Sequence, residues 1–304
     1  MIYIKLDSKK EISFLEKLKY KIKGFEIESI EEIDSKLITL REDSGKTLNK
    51  LENFLNQNCI NSLCISNELL SKNDFMEFIK ENKISYYDGR WLFKNLTEKI
   101  IDYIMNLKNE RLDYQEITFV TDHIDKTIVY FIEMFSQKVK LVNVVTKNEK
   151  MFKKLKDKLY NEYGIILNFP YGPKAFLKSD IILNYDYSED EINNFIIPRR
   201  CVLINFEECI EVKTKSFNGI NVVGYKIDFD ECIKDKLQLL EGFDRNLLYE
   251  SLIYKNTLPE NINRIINIDK IKIVSILGKK GEIKKSEYIK NIKKVVNSLD
   301  KTGN

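Results

Sequence analysis

The chain has 304 residues, 43% of them apolar and 32% charged, and its 50 basic and 47 acidic side chains leave a net charge of +3. That length accommodates two separately cored domains. The near balance of charge gives no electrostatic footprint for nucleic acid or for an anionic membrane surface, so neither is expected as a partner.

Residues 1–90 read as a smaller α/β domain. Ile2–Leu6 is a strand, and Ser8 with Glu11 forms a capping box for a helix carrying Ile12, Leu15, Leu18 and Ile22 at helical spacing. Strands over Phe25–Ile30 and Leu37–Leu40, a helix over Leu48–Leu55, a strand over Ile60–Ile65, a helix over Asp74–Glu81 and a strand over Ile84–Tyr87 follow. Asp88-Gly89 is a turn, and a helix from Trp91 to Leu107 dominates a linking segment over 91–112.

Residues 113–228 alternate apolar strands with amphipathic helices, the pattern of a doubly wound, mostly parallel sheet. The strands are Ile117–Thr121, Lys140–Thr146, Ile165–Phe169, Ile181–Tyr185, Cys201–Phe206 and Ile220–Ile227, with helices over Asp125–Gln137 and Asn148–Tyr163. Residues 229–304 form a C-terminal helical segment, with helices over Glu231–Leu240, Asn246–Tyr254 and Ser286–Leu299, a strand over Ile271–Leu277 and a turn over Gly278–Gly281. By analogy with two-domain dehydrogenases this segment is expected to pack back on the N-terminal domain. No spacer rich in Pro, Gly or Ser intervenes, so the domains are expected to be docked.

The start, Met1 to Asp7, has no basic segment leading into a long apolar core, and no run approaches about 18 uncharged apolar residues. A cytoplasmic protein without a spanning helix is therefore expected. Cys59, Cys64, Cys201, Cys209 and Cys232 are scattered, and with a single histidine a Cys/His zinc site lacks material. Free thiols in a reducing compartment account for them.

In a dinucleotide-binding βαβ unit the first strand runs into G-x-G-x-x-G, whose glycines let the backbone turn tightly and approach the pyrophosphate. Here the three glycine positions hold Thr121, His123 and Lys126, and no glycine occurs between Gly89 and Gly164. Asp122 and Asp125 place negative charge where an anion would sit, and Asp125 suits the helix N-cap itself.

Two later stretches carry a resemblance. Val145-Thr146-Lys147-Asn148 follows the second strand, and Ser179-Asp-Ile-Ile-Leu-Asn184 runs along the fourth before the pattern departs at Tyr185-Asp186. The central third of the chain resembles the NADP-binding domain of the shikimate dehydrogenase and glutamyl-tRNA reductase group, within the Rossmann-type superfamily, with the glycine fingerprint lost. The resemblance implies NADP as a possible cofactor, with Lys147 as the cation for the adenosine 2′-phosphate, and cofactor contacts from Thr121, Asp122, His123, Thr146, Lys147 and Asn184. It brings neither the Lys and Asp that shikimate dehydrogenases use nor the catalytic cysteine context of the reductases.

The rim at the carboxyl ends of the strands carries Asp122 and His123, Thr146 and Lys147, Pro170 and Tyr171, Asp186 and Tyr187, and Glu207 and Glu208. It is acidic apart from Lys147 and suits a cation or an amine better than a bare pyrophosphate. Asp122, His123, Asp186 and Glu207 are oxygen and imidazole ligands for a divalent metal if they converge, although solvated loop carboxylates are the simpler reading and no metal is expected. His123, the one histidine, is the candidate general acid or base. Tyr171 and Tyr187 are candidates for stacking on a planar ligand.

Three functions remain open. The preferred one is a degenerate Rossmann-like module that binds a small ligand or a protein partner without hydride transfer. The second is a divergent NADP-dependent oxidoreductase, with Lys147 on the 2′-phosphate. The third is RNA binding through Gly278-Lys-Lys-Gly281, which resembles the GXXG loop of KH domains although a strand precedes it.

Overall fold

The computed structural model describes residues 1–6, 24–31, 34–214, 216–228, 240–256 and 271–284. The helices expected over 8–22, 231–240 and 286–299, and Cys232, lie outside the described residues save for Leu240. The chain divides into two compact units: Met1–Leu92 with the segment that contains 240–256, and Phe93–Asp228 with the segment that contains 272–284.

The first unit is a five-stranded sheet flanked by helices. In chain order it has β1 (Ile2–Leu6), β2 (Phe25–Ile30), β3 (Ser35–Leu40), α1 (Gly45–Gln57), β4 (Ser62–Ile65), α2 (Asn67–Leu70), α3 (Asn73–Glu81) and β5 (Ser85–Tyr86). The strand order is β2-β3-β1-β4-β5, parallel except for the antiparallel edge strand β2. β2 exposes Ile27, Glu28 and Ser29 as an edge strand can, whereas β1, β3 and β4 are mostly buried and apolar. Leu48, Leu51 and Leu55 of α1 pack on Ile4, Ile38 and Leu40 in one core cluster, which is what their helical spacing requires.

The single helix expected over Trp91–Leu107 is two, α4 (Arg90–Asn95) and α5 (Thr97–Lys108). Leu96 leaves helical geometry at φ −92° and ψ 9°, and the Thr97 hydroxyl donates to the Lys94 carbonyl at 2.5 Å. A hydroxyl that takes a nearby carbonyl competes with the helical ladder, a local effect that apolar periodicity does not register.

The second unit continues with β6 (Glu116–Val120), α6 (Lys126–Ser136), β7 (Leu141–Val145), α7 (Lys153–Tyr163), β8 (Ile181–Asn184), α8 (Glu189–Asn193), β9 (Val202–Asn205) and β10 (Ile220–Val222). The ladder pairs among these five strands are all parallel, in the order β10-β9-β8-β6-β7. The strand expected over Ile165–Phe169 is reduced to a parallel bridge from Asn168 to Asn143 on the outer side of β7. With that position counted third, the order is the 3-2-1-4-5-6 arrangement of a doubly wound Rossmann-like sheet, which reverses between β6 and β8. The fold is therefore α/β with a mostly parallel Rossmann-like sheet. β6, β8 and β9 are buried along their whole length, as strands covered on both faces must be; β8 and β9 are apolar up to a closing Asn184 and Asn205, and β6 buries Glu116 and Thr118 among apolar residues.

The strand expected over Ile220–Ile227 splits. Ile220–Val222 closes the parallel sheet, and β11 (Gly224–Asp228) turns away into an antiparallel sheet. There it pairs with β12 (Lys272–Gly278), which pairs in turn with β13 (Gly281–Glu282). An aromatic chain fills the unit: ring centroids lie 5.1 Å apart for Tyr225 and Phe93, 4.9 Å for Phe93 and Phe206, and 4.6 Å for Phe206 and Tyr185. Tyr185 stacks on Phe119 at 6.0 Å. Such ring pairs add about 0.5–1.5 kcal/mol each beyond the area they bury.

The helix Arg245–Asn256 belongs to the first unit. The hydroxyls of Tyr3 and Ser251 lie 3.0 Å apart, and Glu250 Oε2 accepts the Leu92 amide at 2.9 Å. Glu250 is 3% exposed. Burial pushes its carboxyl from 4.5 up to about 7, against the opposing pull of the Leu92 amide. The folded state therefore holds a proton that the unfolded chain has already lost. The associated stability is complete below about pH 4.5 and is lost as pH rises through about 7. The variant Glu250→Gln, whose side-chain oxygen still accepts the amide, should flatten this dependence by on the order of 3 kcal/mol over that interval. Urea unfolding midpoints of both proteins across the range check it; parallel curves would mean that Glu250 does not titrate there.

Candidate functional site

Open parallel sheets bind ligands beyond the carboxyl ends of their strands, at the point where strand order reverses. In this unit that point lies between β6 and β8. Val120 is in register with Val145 on one side and with Asn184 on the other, so three strand ends finish level. The segments leaving them, Thr121–Asp125, Thr146–Asn148 and Tyr185–Ser188, form the rim.

The turn after β6 is organised by the Asp186 carboxylate. The Asp122 amide donates to Asp186 Oδ1 at 3.1 Å and to Oδ2 at 3.0 Å. The Thr121 hydroxyl lies 3.0 Å from Oδ2, and His123 Nδ1 lies 2.7 Å from it. The His123 amide is taken by the Thr121 hydroxyl at 3.1 Å, and the Ile128 amide by Asp125 at 2.8 Å. Asp125 thus caps α6, as its sequence position predicts. An internal carboxylate sits on the amide that a glycine-rich turn would offer to phosphate.

Asp122 faces the other way. Its Oδ1 accepts the Lys147 amide at 2.7 Å and the Tyr187 hydroxyl at 3.0 Å, and its Oδ2 lies 3.0 Å from Lys147 Nζ. Burial pushes the Asp122 carboxyl up, but the hydrogen bonds from Lys147 and Tyr187 outweigh it and hold the group below the usual carboxylate range. Its contribution to stability is present above the ordinary carboxylate pKa and is lost as pH falls through the lowered value. Lys147 is also paired with Glu191, and these two carboxylates raise its pKa, Glu191 more than Asp122. The ammonium sits 4.8 Å from the Tyr187 ring centroid. Glu191 is fixed in turn by a capping box with Ser188 at the start of α8. The cation expected to meet a 2′-phosphate is therefore shared between two internal anions. Beyond it, Lys147, Lys150, Lys153 and Lys156 with Glu149 and Asp157 line an open groove of about 640 Å³.

Asn184 is buried and turned inward. Its amide nitrogen donates to the Tyr187 carbonyl at 2.8 Å and to Asn205 Oδ1 at 3.1 Å, and its oxygen accepts the Tyr187 amide at 3.0 Å. Asn205 then donates to Asn221 at 2.7 Å, and Asn221 to the Ile210 carbonyl at 2.7 Å. This asparagine ladder crosses β8, β9 and β10 and holds the loop that carries Asp186. Thr146 accepts the Asn148 amide at 3.1 Å and orders the loop after β7.

The structure brings Asp122, His123 and Asp186 together but not Glu207, which pairs with Lys94. Among the described residues no group of three or more His, Cys, Asp or Glu could hold a metal ion. Tyr187 is buried with its hydroxyl on Asp122 and one face under Lys147, whereas Tyr171 is 92% exposed. Gly278-Lys-Lys-Gly281 is the tight connection of the β12–β13 hairpin, with Gly281 at φ +103° and Lys279 paired with Glu211. Sequence reading placed Asp186 on the rim but not on the turn. The one signal was the departure from the family pattern at Tyr185-Asp186, because the two segments are 65 residues apart. Glu191, Asn205 and Asn221 had no signal at all.

No protein-family model and no curated protein matches the chain. Among solved structures it is similar to an L-tryptophan dehydrogenase from Nostoc punctiforme at 9% identity, over 83% of this chain and 77% of that one, with a TM-score of 0.34. It is similar also to aspartate transcarbamoylase from Trypanosoma cruzi at 10% identity, over 68% of this chain and 70% of that one, with a TM-score of 0.29. Likeness at this level carries nothing about activity, and the fold rests on the strand order described above. No helix among the described residues is long and apolar enough to cross a membrane.

The ladder makes a direct prediction. Asn205→Ala takes one acceptor from the buried Asn184 amide and the donor from half-buried Asn221 Oδ1, and should cost about 1–3 kcal/mol. Chemical unfolding measures the loss; a change of a few tenths would mean that the ladder is incidental.

Proposed function

We propose that the second unit is a Rossmann-like module whose dinucleotide seat is filled by its own side chains, and that it binds a small ligand or a protein partner without hydride transfer. The observation that carries this reading is the Asp186 carboxylate on the Asp122 amide and the Thr121 hydroxyl. A pyrophosphate at that turn would have to displace a carboxylate held by several charge-assisted hydrogen bonds, each worth about 1.5–3 kcal/mol. It would also meet Asp122 and three side chains in place of glycines.

One observation favours a second reading, a divergent NADP-dependent oxidoreductase. The lysine-lined groove beyond β7 lies where the resemblance puts the adenosine phosphate. Both readings meet in one experiment. Calorimetric titration of the full chain with NADPH at low salt should give no saturable heat, for the wild type and for Lys147→Glu alike. Saturable binding that Lys147→Glu abolishes overturns the first reading and establishes the second.

A further inference from the structure

We propose that His123 is a general base at this rim, positioned by Asp186, and that it takes a proton from an uncharged or cationic substrate that carries its own electron sink. The inference deepens the preceding reading and rests on it for the location of the ligand.

The carboxylate of Asp186 can only accept, so the imidazole nitrogen 2.7 Å from it, Nδ1, is the donor. In the neutral ring that assignment places the proton on Nδ1 and leaves the Nε2 lone pair outward. Asp186 is not free to swing away, because the Asp122 amide reaches both its oxygens and the Thr121 hydroxyl, shared with the His123 carbonyl, lies 3.0 Å from Oδ2. The orienting group is thus fixed by backbone, and the imidazole ring, 82% exposed, projects from it. A base whose second nitrogen is set by a third group is the recurring arrangement of proton-transfer sites. It stands here at the strand-order reversal, where open sheets take their ligands.

The same contacts define what the base acts on. The Asp122 and His123 amides, the two beside the imidazole, are already used, so neither is offered to a developing oxyanion, and acyl or phosphoryl transfer lacks those stabilising donors. Negative charge that forms when the proton leaves must then be held by the substrate, on a delocalised or departing group. Asp122, Asp186 and Glu191 make the rim anionic apart from Lys147, which two of them neutralise. Anionic substrates are disfavoured, and neutral or cationic ones are not.

A neutral elimination probe, 5-nitrobenzisoxazole, isolates this step. Nε2 takes the ring C–H proton, the C–H electron pair becomes the third bond of a nitrile, and the N–O bond breaks to release a phenolate that is read by absorbance. No oxidant or metal is involved. The full-length protein should exceed an equal concentration of free imidazole by about tenfold or more, in line with the contribution of a positioned base. His123→Ala should return the rate to background. Asp186→Asn keeps an acceptor for the Asp122 amide but presents N–H to the ring, so the rate should fall while the far-UV spectrum stays unchanged. Its imidazole nitrogen shifts should change to the Nε2–H tautomer, and the single histidine makes that signal unambiguous. Asp186→Glu should recover part of the rate. A rate within tenfold of free imidazole, a rate kept in His123→Ala, or an Nε2–H tautomer in the wild type overturns the proposal. The NADPH titration reads the turn's amides and this assay reads Nε2, so each reading fails separately.

Discussion

One carboxylate organises the functional end of the second unit. Asp186 leaves β8 and closes on the turn after β6, accepting from an amide, a hydroxyl and an imidazole at once. A loop that would otherwise need glycines to stay tight is instead tied by a side chain, so bulky residues are tolerated at Thr121 and His123. The absence of the glycine pattern and the presence of Asp186 fit together: the Asp122 amide is satisfied internally, where a glycine-rich turn offers such an amide to phosphate.

That carboxylate can act only if its own loop is held, and the asparagine ladder supplies the hold. Asn184 and Asn205, at the ends of β8 and β9, and Asn221, within β10, pass hydrogen bonds sideways, finishing on a backbone carbonyl. Asn184 also closes the Tyr187 backbone with both its donor and its acceptor. In a site walled by apolar strands every such group must be paired, so the ladder is stabilising as a whole and intolerant of partial removal. Beneath it the aromatic chain from Tyr225 to Phe119 gives the strands a rigid floor.

On the outer side, Asp122, Lys147, Glu191 and Tyr187 form a second network that shares no hydrogen bond with the His123 imidazole. It neutralises the one rim lysine and fixes the loop after β7 against α8. The two networks divide the rim into a closed, mutually satisfied half and a half in which an imidazole remains open to solvent.

The sequence by itself determined the α/β class, the positions of most strands and the cap at Asp125, because burial on both faces forces apolar runs and a helix start needs a side-chain acceptor. It also exposed the missing glycines, which is a local property of six adjacent positions. It missed the helix break at Leu96, the weakening of the strand over Ile165–Phe169 and the departure of Gly224–Asp228 into another sheet. In each case hydrogen-bond competition or pairing overrode a correct apolar pattern. Only the tertiary structure decided what fills the turn, because Asp186 reaches it across the sheet from a strand that is adjacent in space and distant in the chain. Spacing along one chain carries no record of such a meeting, and the contacts of Asn184, Lys147 and His123 follow from it.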